Sequence, residues 1–173
     1  MSDITLKTGK IVNFVGDAIL CPCDLDLTYS KPGTVLKPIF QNAGKDLLKE
    51  LSVIGYCEIG NAVITNGYDL KVKHLIFMPI SDSNNEVGKM DSNQLHQSLK
   101  SAFTLADLYK VKTLAMPLFS VRQRRMKLLD IISNTLSGNV DAKTISNQEI
   151  FNIITTLSGE QNCQSLKKIS LYS

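Results

Sequence analysis

The chain has 173 residues, a net charge of +3 and 43% hydrophobic residues. This length fits one domain with a substantial core, and so mild a charge does not by itself indicate nucleic acid as a partner. No apolar run approaches the ~20 residues of a membrane span, and the first residues lack the basic and apolar regions of a signal peptide. We therefore expect a cytoplasmic protein with reduced cysteines and no membrane contact.

The first part of the chain predicts three short strands and a long helix. The strands are Ile4–Leu6, Ile11–Phe14 and the apolar, buried run Ala18–Cys21. The helix is predicted because an apolar residue recurs at every fourth position from Val35 to Leu51. Thr34 would cap this helix, and Gly44 would break or kink it midway.

The rest of the chain continues to alternate strands with helices. Helices are predicted to begin near Asp91, Met126 and Ser146, and the first and last have a capping box in their sequence. The remaining strands are Ala62–Thr65, His74–Met78, Thr113–Leu118 and Lys168–Tyr172. This alternation predicts an α/β protein whose central sheet is largely parallel and covered on both faces.

Two loops are candidates for a ligand site. In open α/β sheets, ligands bind at the carboxyl ends of the strands, and the loops Pro22–Thr34 and Phe119–Arg125 both follow such ends. The first loop leads through Pro32 and Gly33 into a helix start, which presents backbone N–H groups and a positive dipole end to an anion. We therefore expect the two loops to form the walls of one cleft.

Several local strings resemble one known family. They are Gly9-Lys10-Ile11, the run Asp17–Asp24, Pro32-Gly33-Thr34-Val35, the run Gly55–Leu70, and Ala115–Ser120. Their order and spacing are similar to those of the macro domain, an ADP-ribose-binding module. The resemblance implies a three-layer α/β/α fold with a mixed, largely parallel central sheet. It also implies a single domain over residues 1–173, in which residues 124–145 are an insertion.

The resemblance implies a set of ligand-binding residues. They are Lys10, Ile11, Cys21, Asp24, Gly33, Thr34, Val35, Phe119, Ser120, Val121, Arg122, Gln123 and Arg124. Several of these residues depart from the family pattern. Lys10 stands where the family has an Asp, and Cys21 and Asp24 stand where it has Asn. The triple Gly is reduced to Gly33, and Ser120–Arg125 has lost its glycines. Such glycines permit close approach of the backbone to phosphate, so their loss implies a different loop path, a different ligand or no ligand.

Asp24 is the candidate catalytic residue, since a carboxylate there would orient or activate water. The more frequent role of such a residue is that of a solvated loop carboxylate or a turn former. Its negative charge would also oppose a diphosphate by ~1–4 kcal/mol at ~4 Å in a wet site.

The residue types of Cys21 and Cys23 would allow a metal pair, or a nucleophile at Cys21. Neither histidine and no other cysteine stands at a recognisable metal spacing from them. Buried structural thiols are the favoured interpretation, so we predict no metal and no cofactor.

Three functions follow, in order of preference. The first is a binding module for ADP-ribose, a related nucleotide or an ADP-ribosylated protein. The second is a degenerate domain that contacts protein or RNA through Arg122, Arg124 and Arg125, where cations before a helix suggest a compensating anion. The third is an ADP-ribosyl hydrolase.

Overall fold

A computed structural model describes residues 2–28, 36–81, 92–118, 147–159 and 163–172. Its strands are β1 (Asp3–Lys7), β2 (Gly16–Asp24), β3 (Val63–Asn66), β4 (Val72–Ser81), β5 (Thr113–Pro117) and β6 (Lys168–Tyr172). Its helices are α1 (Leu36–Ala43), α2 (Lys45–Ile54), α3 (Ser92–Leu108) and α4 (Asn147–Gly159). A short 3₁₀ turn, Ile11–Asn13, lies between β1 and β2.

The six strands form one sheet in the order β1-β6-β5-β2-β4-β3. All neighbouring strands run parallel except β3, which is antiparallel to β4. The predicted mixed, largely parallel sheet is therefore confirmed. Because parallel strands share one direction, the carboxyl ends of β1, β6, β5, β2 and β4 all lie at the same edge.

Side chains that alternate along the central strands build two cores. Ala18 and Leu20 of β2 pack with the apolar faces of α3 and α4, whereas Ile19 and Cys21 pack with those of α1 and α2. This alternation follows from the two-residue period of a strand. A helical layer on each face of the sheet gives the three-layer α/β/α fold that the sequence predicts.

The segment after β1 differs from the prediction. Residues Ile11–Phe14 are not a strand, because the N–H groups of Asn13 and Phe14 donate to the carbonyls of Lys10 and Ile11 at 3.0 and 2.9 Å. These are local i→i+3 bonds of a 3₁₀ turn. The predicted strand Ile11–Phe14 is therefore wrong, since its short apolar run also fits the tighter period of a 3₁₀ turn. Strand β2 is also longer than predicted, since its pairing with β4 continues to Asp24.

Gly44 separates two helices where the apolar period alone is continuous. Its φ of +90° lies in a region that favours glycine. A Cβ atom there would lie 2.7 Å from Oδ2 of Asp69. The carbonyl of Ala43, at the end of α1, accepts a hydrogen bond from the N–H of Asp69 at 3.3 Å and not from a further turn of the same helix. The predicted break at Gly44 is thus confirmed.

The other predicted elements within the described residues are present to within a few residues. The helix predicted to begin near Met126 and the insertion 124–145 lie outside the described residues, so they stay predictions. Among the helices that the structure describes, none combines the length and the apolar character that crossing a bilayer requires.

Candidate functional site

The carboxyl edge of the sheet holds the predicted site residues that the structure describes. They are Lys10, Ile11, Cys21 and Asp24. Gly33, Thr34, Val35 and the run Phe119–Arg124 lie outside the described residues. The described part of the candidate site is its floor, which consists of the ends of β2 and β6 and the 3₁₀ turn.

Asp24 ends β2 and is buried, with 7% of its surface exposed. The register with β4 shifts between Cys23 and Asp24, which pairs with Ser81. The interpretation of Asp24 as a solvated loop carboxylate is therefore wrong, because the strand continues three residues past its predicted end. The structure therefore places a buried carboxylate at the carboxyl end of β2, where this type of fold predicts a ligand.

Asp26, not Asp24, supplies the side chain that forms the turn after β2. Its Oδ1 accepts from the N–H of Thr28 at 3.2 Å and from the Thr28 hydroxyl at 2.6 Å. The backbone closes this turn, since the N–H of Leu27 donates to the carbonyl of Asp24 at 2.9 Å. A side chain bonding to the backbone two residues on is typical of an Asx turn.

Leu27 anchors the same turn to the core, although it was not among the predicted site residues. Its side chain is fully buried although its φ is +62°, a conformation that is rare for a bulky residue. The neighbouring carbonyl of Leu25 accepts from the N–H of Cys57 at 2.9 Å. The start of the first ligand loop is therefore held from both sides. A lone apolar residue between polar ones, as at Leu27, was the available signal.

The cysteines near the site are structural. Cys21, Cys23 and Cys57 are free, buried thiols, and burial raises the pKa of each. A raised pKa disfavours the thiolate that a nucleophile or metal ligand needs. Within the described part of the chain, no group of three or more His, Cys, Asp or Glu residues could hold a metal ion.

The 3₁₀ turn brings Lys10 and Ile11 to the other side of the site. Lys10 is exposed and Ile11 is buried. The ring of Phe14, just after the turn, meets the ring of Tyr172 edge to face, with centroids 6.3 Å apart. Tyr172 is the last residue of β6 and is half-buried. It was not among the predicted site residues, although an aromatic residue at the carboxyl end of a strand was a usable signal.

Two sides of a site therefore share one edge of the sheet. Tyr172 ends β6 and Asp24 ends β2, and β5 lies between these strands. The axes of β6 and β2 are therefore two strand spacings apart, or about 10 Å.

Comparison with known proteins identifies the family. Residues 25–132 match the family described as the Macro domain. A macro domain-containing protein of Caldanaerobacter subterraneus is 32% identical over 149 residues, which cover 79% of this chain and 82% of that protein. The chain belongs to the macro domain family. The resemblance seen in its motifs is thus confirmed.

A relative with a named activity matches this macro domain over a shorter stretch. The ADP-ribose glycohydrolase MACROD2 of Xenopus laevis is 29% identical over 117 residues, or 68% of this chain. The match covers 28% of that protein's own length.

Solved macrodomain structures share the fold. The macrodomain of Trypanosoma brucei in complex with ADP is 17% identical and aligns with a TM-score of 0.71 over 99% of this chain and 63% of that one. Its complex with ADP-ribose is 19% identical and aligns with a TM-score of 0.66 over 98% of this chain and 62% of that one. These likenesses extend across the whole sheet and both helical layers.

Proposed function

We propose that this macro domain binds ADP-ribose, or a related nucleotide, at the carboxyl edge of its sheet. Membership of the family carries the proposal. The macrodomain of Trypanosoma brucei, which has the same fold, takes ADP and ADP-ribose. Support within the chain comes from the described edge, where a buried carboxylate ends β2 and a half-buried aromatic residue ends β6, two strands away.

The floor residues suggest how the ligand would lie. Tyr172 is half-buried and offers an aromatic surface suited to a base. Asp24, two strands away, offers carboxylate oxygens that would accept from ribose hydroxyls. This orientation would place the diphosphate between them, against Gly33–Val35 and Phe119–Arg124. The assignment of those two loops stays a prediction.

An ADP-ribosylated protein is the larger ligand that this proposal includes, because the same group can be presented on a side chain. We also propose a cytoplasmic location. The four cysteines support it, because all are buried thiols and none forms a disulfide, and disulfides form in oxidising compartments. RNA contact through Arg122, Arg124 and Arg125 stays a prediction as well.

Asp24 provides the sharpest test of the binding proposal. Replacing it with Asn keeps the shape, restores an amide donor and removes a charge that opposes the diphosphate. Calorimetric titration of the Asp24→Asn variant with ADP-ribose should show binding about tenfold or more tighter than wild type, since ~1.4 kcal/mol is tenfold. Asp26→Asn is the matched control, because Asp26 is exposed and its oxygen serves the turn. Equal affinities of wild type and the Asp24→Asn variant would contradict the assigned place of Asp24.

A hydrolase is the second candidate, and the buried position of Asp24 is what favours it. A carboxylate shielded from bulk water at a ligand edge is suited to orienting a single water molecule. The test is release of ADP-ribose from an ADP-ribosylated protein, compared between wild type and the Asp24→Ala variant. Release by wild type that Asp24→Ala abolishes would support the hydrolase; binding without release would leave a binding module.

A further inference from the structure

The edge of the sheet opposite to the candidate site carries a row of exposed lysines, here called the lysine edge. Its members stand at or just before the first residues of three parallel strands: Lys71 and Lys73 at β4, Lys110 and Lys112 at β5, and Lys167 and Lys168 at β6. From β4 to β6 there are three strand spacings, or about 14 Å.

The same local pattern produces two parts of the row. The sequence Lys-Val-Lys occurs at residues 71–73 and again at 110–112. In both copies the valine is buried, Val72 at 7% and Val111 at 1% exposure, and the flanking lysines are exposed. Each buried valine thus holds two lysines at the entry of its strand.

Hydrogen bonds connect the lysines into one continuous surface. The N–H groups of Lys167 and Lys168 donate to the carbonyl of Lys112 at 2.8 and 3.0 Å. The N–H of Lys112 donates to Oδ2 of Asp17 at 2.9 Å, and the ammonium of Lys73 lies 2.9 Å from Oδ1 of the same residue. Asp17 therefore joins the β4 lysines to those of β5 and β6.

Carboxylates reduce the charge of the lysine edge without cancelling it. Asp17 lies within the row and accepts from the backbone at Lys112 and Thr113. Asp107 accepts from the N–H of Ser165 at 2.7 Å. Asp3 and Asp69 stand at the two ends of the row, and Asp69 lies against Gly44 of the α1–α2 corner. Six lysines against these four acids leave positive charge in excess.

An aromatic ring lies within the same surface. Tyr109 directly precedes Lys110 and is 48% exposed. Its ring packs against that of His74, next to Lys73, with centroids 5.2 Å apart at 69°. A ring held in place by its neighbour and open to solvent is a platform on which a base can stack.

The backbone at Lys110 points to a role for its charge. The N–H groups of Lys110 and Val111 donate to the carbonyls of Asp107 and Ala106, which is the Schellman pattern that ends α3. Lys110 occupies the left-handed position of this motif with a φ of +57°, where glycine is usual. A cation stands at this edge in spite of that conformational cost.

We propose that the lysine edge, with Tyr109, binds single-stranded nucleic acid. Such binding combines a positive surface that follows the backbone with aromatic side chains that stack on bases. The lysine edge supplies the positive surface, and Tyr109 supplies the ring for stacking. A phospholipid headgroup would use the charge equally well, but it has no flat base for Tyr109 to stack on. The proposal does not depend on the binding of ADP-ribose at the opposite edge.

The test uses the full chain and a short fluorescent oligouridine, with binding followed by anisotropy. Between about 50 and 200 mM salt, the logarithm of the association constant should fall against that of salt with a slope of about −2, as for three neutralised phosphates. The triple variant Lys112→Gln, Lys167→Gln, Lys168→Gln should bind about tenfold or more weakly. Its control carries the same charge change elsewhere, at Lys7, Lys37 and Lys100, and should bind like wild type.

Tyr109 separates nucleic acid from a membrane surface. Tyr109→Ala should weaken oligouridine binding about five- to tenfold with an unchanged salt slope, and Tyr109→Phe should bind like wild type, because stacking needs only the ring. Equal losses in the lysine and control triples would overturn the proposal. So would binding of phosphatidylserine vesicles but not of oligouridine, or a loss confined to the variant that replaces Arg122, Arg124 and Arg125.

Discussion

The N–H of Cys57 donates a 2.9 Å hydrogen bond to the carbonyl of Leu25, so the loop that follows α2 holds the loop that follows β2. Leu27, two residues further on, is fully buried in the core between the sheet and the helices α1 and α2. The first ligand loop therefore leaves the sheet from a fixed point. Asp24 itself is held by its pairing with β4 and by backbone hydrogen bonds to Leu27 and Thr28.

Leu27→Ala should unfold the protein more easily, because it leaves a cavity where the loop meets the core. We expect the free energy of unfolding to fall by about 2–4 kcal/mol, as for other buried Leu→Ala changes. Urea denaturation of wild type and variant measures this change in the free energy of unfolding. Leu48→Ala is the control, since Leu48 is 51% exposed, and its change should stay within about 0.5 kcal/mol. A loss below about 1 kcal/mol for Leu27→Ala would mean that the loop is not anchored there.

Asp17 should make stability depend on acid pH. Burial would raise the pKa of its carboxyl, but hydrogen bonds from Lys73, Lys112 and Thr113 outweigh it and lower the pKa from 3.8 to about 2. Because the folded pKa lies below the unfolded one, the stabilisation is complete above pH 3.8 and is lost as the pH falls to about 2.

The Asp17→Asn variant should therefore lose about 2 kcal/mol of stability at pH 7, and this difference should shrink as the pH falls. Denaturant titrations at neutral and acid pH compare the two proteins. Asp46→Asn is the control, because the Asp46–Lys49 pair is exposed and such pairs contribute little. A constant difference between wild type and Asp17→Asn at every pH would refute the electrostatic account.

The thiols should be unreactive in the folded protein. All four cysteines are buried, and burial raises the pKa of Cys21, Cys23 and Cys57. Labelling with a thiol reagent at neutral pH should be slow, and all four should react at once in guanidinium chloride. Rapid labelling of Cys21 in the native protein would restore it as a candidate nucleophile.

Lys110→Gly should stabilise the protein while it weakens oligouridine binding. Glycine relieves the strain of the left-handed conformation at a φ of +57°. The variant also loses a favourable interaction of the lysine charge with the helix end, but this loss is smaller. The free energy of unfolding should therefore rise by about 0.5 kcal/mol. Lys110→Ala removes the same charge and keeps the strain, so it should weaken binding equally without the gain. Thermal denaturation and anisotropy measure the two effects. A variant that gains stability and binds as well as wild type would show that the lysine has no part in binding.

Much of the fold was predictable because local patterns matched the final packing. The Gly44 break and the strand Lys168–Tyr172 follow from residue types within a few positions. The 3₁₀ turn at Ile11 was not, because its short apolar run fits two periods equally well. The sequence predicts a loop at Asp24 because of its charge and the nearby Pro22. In the structure, pairing with β4 extends strand β2 through Pro22 as far as Asp24. Such pairing is a long-range effect that a single sequence does not display.

The strand-end rule and the family strings both predict a site at the carboxyl edge of the sheet, and the structure places Asp24 at that edge. Tyr172 and Leu27 were missed because their importance arises from contacts with distant residues, Phe14 in one case and the α1–α2 core in the other.

Calorimetric titration of the wild-type chain with ADP-ribose tests the central proposal most directly. We predict a saturable heat of binding with a single site per chain, which Asp24→Asn strengthens and Asp26→Asn leaves unchanged. The absence of any heat at millimolar ADP-ribose, for wild type and for Asp24→Asn, would contradict the proposed function.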